Sequence, residues 1–182
     1  MKASNWMKRF AAIGGSALMG LTLTIGANAA NPETVTVDVT WIAPIVIDPV
    51  SALRFGLLDV GMAENDTVTI NTTGGYSESV ANTVVGGTIL PAELTITVAN
   101  TTAISILVDT IGSGTYYTIG SFECRYEGAS DFACASAYNV TSSSDSSNGD
   151  TLEIGAVLTK NSTIPALAGD DDTTFEVTVT FQ

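Results

Sequence analysis

The sequence predicts an all-β protein, an antiparallel Ig-like β-sandwich preceded by a cleaved signal peptide. Three observations carry that reading. Beyond residue 30, apolar residues recur with a period of two, in segments dominated by Thr, Val and Ile. β-Branched residues suit a pleated, half-buried surface. Turn-forming residues interrupt these segments at short intervals, and many short strands between Gly-rich turns in one domain stack as two antiparallel layers. No segment of the mature chain repeats apolar residues at helical spacing over three turns, so almost no helix is expected. A closed barrel is the alternative architecture.

The elements follow in chain order. Lys2, Lys8 and Arg9 form a basic head, and an apolar stretch from Phe10 to about Gly26 carries Leu18, Met19, Leu21, Leu23 and Ile25. Ala27-Asn28-Ala29 then supplies a small-x-small cleavage site. That order is a secretory signal peptide, residues 1–29, and the stretch is too short and too rich in Gly, Ala and Thr for an anchor. Residues 30–182 form one domain, long enough for its own core.

TVTVDVTW, residues 34–41, alternates Val35, Val37, Val39 and Trp41 against Thr and Asp. Further strands are expected near 44–48, 53–59, 66–71, 83–90, 93–99, 103–109, 115–123, 137–141, 151–159 and 173–181. Their boundaries come from turn signals such as Gly61, Gly74-Gly75, Gly86-Gly87, Asn100-Thr101, Gly128, Asn148-Gly149 and the run from Gly169 to Asp172. TSSSDSSNGD, residues 141–150, reads as a mobile polar loop. The last strand, FEVTVTF at 175–181, is the most regular stripe: Phe175, Val177, Val179 and Phe181 share one face. An apolar strand at a sheet edge invites pairing with another chain. Segment 34–41 has the same alternation and nearly the same length, so it is a natural partner, within one molecule or between two.

Composition bounds the chemistry. With the leader removed, Arg54, Arg125 and Lys160 face 19 acidic residues, a net charge of −16. Such a surface repels nucleic acid and anionic membranes, which need basic contacts. The chain has no His, which removes Ser-His-Asp and Cys-His mechanisms. No phosphate-binding loop, nucleophile elbow or zinc-ligand spacing occurs, and the many carboxylates are not paired by any pattern. The protein is therefore read as non-enzymatic. The two cysteines, Cys124 and Cys134, have nine residues between them. In an exported chain that spacing predicts a disulfide closing a local loop, with a contribution of about 2–3 kcal/mol. No cofactor is expected. Calcium is the one candidate ion, at Asp170-Asp171-Asp172 or at Asp145, Asn148 and Asp150, because hard cations take clustered oxygens. Tyr116, Tyr117, Tyr126 and Tyr138, placed near the disulfide loop, could stack on sugar rings in a secreted carbohydrate-binding module, the alternative to a structural role.

Three stretches taken together resemble a known family: ALRFGLLDVGMAENDTVTI (52–70), LPAELTITVANTTAISILV (90–108) and LEIGAVLTKNSTIPALAGDDDTTFEVTVTF (152–181). They are similar, in this order, to the secreted bacterial domain of unknown function 4402. Ala156 stands where a second Gly is usual, and DDDTT replaces the usual Gly-Tyr-x-Gly approach to the last strand. The resemblance implies a fold and an exported location, and no activity. A second resemblance is to pilins of the chaperone–usher type, which carry a Gly 14 residues from the C-terminus and a penultimate aromatic residue. Gly169 and Phe181 hold those places here, whereas the cysteine pair lies later than in such pilins. That resemblance implies strand addition, in which the segment carrying Val35, Val37, Val39 and Trp41 completes the sandwich of a neighbour beside Phe175, Val177, Val179 and Phe181. The resulting subunit would sit in the periplasm, at the cell surface or outside a bacterium, with protein partners or copies of itself.

Overall fold

The computed structural model describes residues 44–99, 101–110, 112, 114–143, 148–162, 169 and 172–182. The leader, Val35, Val37, Val39 and Trp41 lie outside the described residues, as do Asp145, Asp170 and Asp171. The described residues contain strands and no helix.

The strands are β1 (Val46–Ser51), β2 (Arg54–Leu58), β3 (Thr67–Ile70), β4 (Tyr76–Glu78), β5 (Val84–Leu90), β6 (Ala92–Thr97), β7 (Ala103–Thr110), β8 (Tyr117–Tyr126), β9 (Phe132–Ala133), β10 (Tyr138–Thr141), β11 (Asp150–Lys160) and β12 (Phe175–Phe181). Every pairing is antiparallel. Most expected strands are present with ends moved by one to three residues. Two short ones, β4 and β9, were not expected: neither is long enough to show a period. The strand expected at 115–123 runs on to Tyr126, through Cys124. Arg125 and Glu123 interrupt the apolar run there, but both point away from the core.

The larger sheet is built on β11. One of its edges pairs with β8 along most of its length. The other edge is shared: β6 takes Asp150–Ile154 and β3 takes Ala156–Thr159. Gly155 stands at the change of partner. A Cβ there would press on the carbonyl oxygen of Ile70 and lie 2.9 Å from the carbonyl carbon of Asn71, so the site admits hydrogen only. This accounts for Gly155 in an otherwise β-branched and apolar strand. β1 extends the sheet past β6, β4 past β3, and β9 past β8. The smaller sheet has the order β10-β7-β12, and β2 and β5 form a separate ribbon.

The two main sheets face each other as a β-sandwich. Ile104, Ile106 and Val108 of β7 meet Phe122, Cys124, Leu152, Ile154 and Ala156 in one buried cluster, and Phe175, Val177 and Val179 pack on its flank. Burying each such aliphatic side chain contributes roughly 1.5–3 kcal/mol. A second, smaller cluster gathers Met62, Val68 and Leu158. Lys160 is buried beside it, and its ammonium donates to the main-chain carbonyls of Val60 and Met62. A buried cation is tolerable only when so solvated by the protein.

The two sides of the sandwich differ. On one side the chain itself crosses between the sheets. β9 pairs with β8 in the larger sheet; then the carbonyl of Cys134 accepts from Val108 N at 2.7 Å, and β10 continues along β7 in the smaller sheet. Cys134 is bonded to Cys124 of β8 at this crossing, and both are fully buried. The disulfide expected from spacing is thus the pin that closes one side. On the other side β1 and β12 are the edges of their sheets, and no strand joins them among the described residues.

The 141–150 segment departs from the reading of a mobile polar loop at both of its described ends. Ser142 and Asp150 are buried, and Ser142 Oγ donates to the carbonyl of Ala99 at 3.0 Å. Hydrogen bonding, rather than hydrophobicity, holds these residues inside. Residues 144–147 lie outside the described residues.

Candidate strand-docking groove

β12 alternates because its Phe and Val side chains turn to the core while Glu176, Thr178 and Thr180 face solvent. Phe175, Val177 and Val179 remain half-buried, unlike their fully buried neighbours on β7. The cause is one-sided cover. β7 pairs with all seven residues of β12 on one flank, and among the described residues no strand covers the other. Phe175 is steadied by a tilted ring contact with Phe122, centroids 5.4 Å apart. Phe181 continues the stripe past the end of the core and is 41% exposed.

Between this uncovered flank and β1 runs a groove of about 440 Å³. Its walls include Ile47 and Leu53 on one side and Phe175 and Val177 on the other, with Leu94 and Ile119 among the residues between them. Its volume falls within the usual range for ligand-sized pockets. Along β12 its lining includes Phe175 and Val177 but not Val179 or Phe181, and along β1 it runs from Ile47 to Ser51. Thr173 is on its wall, and the Thr173 hydroxyl is buried with no hydrogen-bond partner among the described residues. Pro49 is on its wall and exposed, and the neighbouring residues Asp48 of β1 and Glu176 of β12 are exposed as well.

Direction along the groove can be read from register. Val46 pairs with Thr97, and Phe181 pairs with Ile104, with Gln182 N bonded to Ala103 O at 3.1 Å. The chain passes from Thr97 to Ala103 between the sheets. The start of β1 and the end of β12 therefore share one end of the sandwich, and Phe175 lies at the opposite end.

The structure brings together only part of the predicted site. Phe175 and Val177 line the groove, and Val179 packs on the core cluster beside them without lining it. Gly169 is exposed outside any strand, and a Cβ placed on it meets nothing within 4 Å; no steric need for glycine exists there. Asp172 is exposed. Asp150 is not a free ligand. Its carboxylate accepts from Tyr126 Oη, from Ser143 Oγ and, at 2.9 Å, from Ser143 N. Burial, with the Asp150 carboxylate beside it, pushes the Tyr126 phenol above its ordinary range. Among the described residues no group of three or more Cys, Asp or Glu could hold a metal ion.

Nor do the tyrosines gather into a sugar platform. Tyr126 is buried, and Tyr138 stacks on Phe132 with centroids 4.0 Å apart. Tyr117 packs on the Met62 cluster at the other end of β8. Nine residue steps of strand separate Tyr117 from Tyr126, roughly 30 Å.

Sequence reasoning did not find the groove itself, nor the Tyr126–Asp150–Ser143 network. A groove is a gap between strands 128 residues apart in the chain, Ile47 to Phe175, and has no local pattern. The network had one faint signal, an acidic residue opening the longest apolar strand.

The family described as Domain of unknown function (DUF4402) matches residues 45–181, which span every strand from β1 to β12. No curated protein matches the chain, and no solved structure does.

Proposed function

The chain belongs to the DUF4402 family, and we propose that it is a non-enzymatic structural protein with an Ig-like sandwich, exported by its leader and joined to its neighbours by pairing of terminal strands. The observation that carries this reading is the asymmetry of the sandwich. A disulfide-pinned crossover closes one side, while the other side presents an apolar groove beside the flank of β12 that no strand covers among the described residues. A sheet edge of seven residues with half-buried Phe and Val side chains is a template for strand addition. Segment 34–41, with Val35, Val37, Val39 and Trp41, has the matching alternation. The reading places the protein in the periplasm, at the cell surface or outside a bacterium, as a fimbria-like subunit whose head-to-tail contacts do not close.

Light scattering on the mature chain and on a version lacking residues 30–41 tests this. Polymers from the first and stable monomers from the second support strand exchange. Monomers from the first, with collapse of the shortened chain, mean an internal strand and overturn the filament reading.

A further inference from the structure

We propose that Asn148 is a site of self-modification. Its side-chain amide carbon is captured by the main-chain nitrogen of Gly149, and the aspartate or isoaspartate that results loosens the hydrogen-bond network around Asp150. The inference is independent of strand pairing.

Asn148 is the one asparagine of the chain that a glycine follows. Packing against β6 explains that glycine. Gly149 has φ +72°, in the left-handed region that favours glycine. A Cβ built on it would press on Thr95 Cγ2 and lie 2.9 Å from Thr97 Oγ1, so no larger residue fits against β6 there. The same bareness removes the side chain that would shield the Gly149 nitrogen from its neighbour. Asn148 is exposed. Among the described residues neither its side chain nor the Gly149 N–H makes a hydrogen bond. Asn71 is the opposite case: its side-chain carbonyl accepts from Thr73 N, Thr73 Oγ1 and Gly75 N at 2.8–3.1 Å.

The chemistry needs water alone. The Gly149 nitrogen attacks Asn148 Cγ and an N–Cγ bond forms. The Cγ–Nδ2 bond breaks, and the side-chain nitrogen leaves as ammonia with the proton that the Gly149 amide gives up. Water then adds to one of the two carbonyls of the five-membered imide. Opening at Cγ gives aspartate. Opening at the main-chain carbonyl gives isoaspartate, whose main chain runs through Cγ and is longer by one carbon. Either product adds a negative charge.

Both consequences fall on Asp150, two residues on. Its buried carboxylate already accepts from Tyr126 Oη, Ser143 Oγ and Ser143 N. A second carboxylate beside it opposes the first. The extra carbon has no room toward β11, because Gly149 is wedged against Thr95 and Asp150 is paired with Ile96. It is taken up toward Ser143, whose amide donates to Asp150 at 2.9 Å.

Peptide mapping of the folded mature chain, held at mildly alkaline pH and sampled over time, tests this. Cleavage after Arg125 and Lys160, with the disulfide reduced after sampling, isolates residues 126–160, which carry Asn139 and Asn148 together. Asn148 should gain the mass of an amide-to-acid exchange about ten-fold faster than Asn139, because the valine after Asn139 crowds ring closure and the glycine after Asn148 does not. Isoaspartate among the products marks the cyclic route, since direct hydrolysis gives aspartate alone. Asn148→Gln, which needs a six-membered ring, should abolish the gain and keep the fold. Amide exchange at Ser143 should be about three-fold faster or more in the converted chain than in the fresh one. No gain at Asn148 in the folded chain, with gain in the same chain unfolded in urea, overturns the inference, because the fold then keeps nitrogen and Cγ apart. Equal rates at Asn139 and Asn148, or aspartate as the sole product, overturn it as well. Conversion at Asn148 with Ser143 exchange unchanged overturns the coupling to Asp150 and leaves the modification site standing.

Discussion

Removing the 124–134 disulfide should lower stability by a calculable amount while leaving the sandwich folded. The bond closes a loop with a sequence separation of ten. Loop-closure entropy for a ring of that size gives about 3 kcal/mol at 25 °C. For a domain of this length that corresponds to a fall in melting temperature of roughly 6–11 °C. Most of the core is supplied by other residues: Ile96, Ile104, Ile106, Leu152 and Ile154 are fully buried in the cluster that holds both sulfurs, and of these Ile154 pairs directly with Cys124. The local effect should be larger than the global one. β9 is only two residues long, and the Val108 N bond to Cys134 O and the Cys134 N bond to Phe122 O (2.7 and 3.3 Å) are what else hold the crossing. Thermal unfolding followed by circular dichroism, with and without a thiol reductant, measures the first quantity. Amide exchange at Val108 and Cys134 measures the second, and both amides should exchange faster in the reduced chain. Cys124→Ala with Cys134→Ala should cost somewhat more than reduction, because it also removes two buried sulfurs. A melting temperature moved by less than about 2 °C would refute the reasoning that the bond constrains the unfolded chain. Loss of all sheet signal at 25 °C on reduction would refute the claim that the core stands without it.

Three further outcomes follow from the packing. Gly155→Ala forces a Cβ onto the Ile70 carbonyl at the change of strand partner and should cost about 1–3 kcal/mol as an overpacking defect, read from denaturant unfolding. Thr72→Val keeps the shape of a fully buried side chain but removes its 2.7 Å hydrogen bond to Asp131 Oδ1. It should cost about 1–3 kcal/mol, because the carboxylate keeps its Arg125 contact at 3.2 Å but loses a buried donor. Tyr126 has its phenol pKa raised by burial first and by Asp150 second, so the folded state holds that proton more tightly than the unfolded state. The stabilisation is complete below the unfolded value near 10 and is lost as pH rises above it. Unfolding midpoints measured from pH 8 to 12 should therefore fall above pH 10, and Tyr126→Phe should flatten that fall. A slope unchanged in the variant would mean that another group governs it.

Strand content and order were legible because the signals are local. TVTI at 67–70, the Leu94, Ile96, Val98 alternation and FEVTVTF at 175–181 each carry their period within a few residues, and the structure places strands there. β4 and β9 were not legible, since YSE and FA owe their pairing to β3 and β8 rather than to their own composition. Asp150 looked like a loop carboxylate because the residues that bury it come from 24 and 7 positions away. Tyr117 and Tyr126 looked like neighbours because a sequence shows their separation in residues and not the extension of the strand between them.

By itself the sequence determined the class of secondary structure, the cysteine pairing and the alternating stripe of β12. These depend on side-chain period and on short loops, both set by covalent order. Tertiary structure alone decided which flank of that stripe β7 covers and which, among the described residues, no strand does. Strand neighbours are chosen by the docking of distant segments: β11 divides one edge between β6 and β3, and among the described residues the chain crosses sheets at Cys134 but not beside β1. Among the described residues the groove exists because those long-range choices close one side of the sandwich and join no strand between β1 and β12.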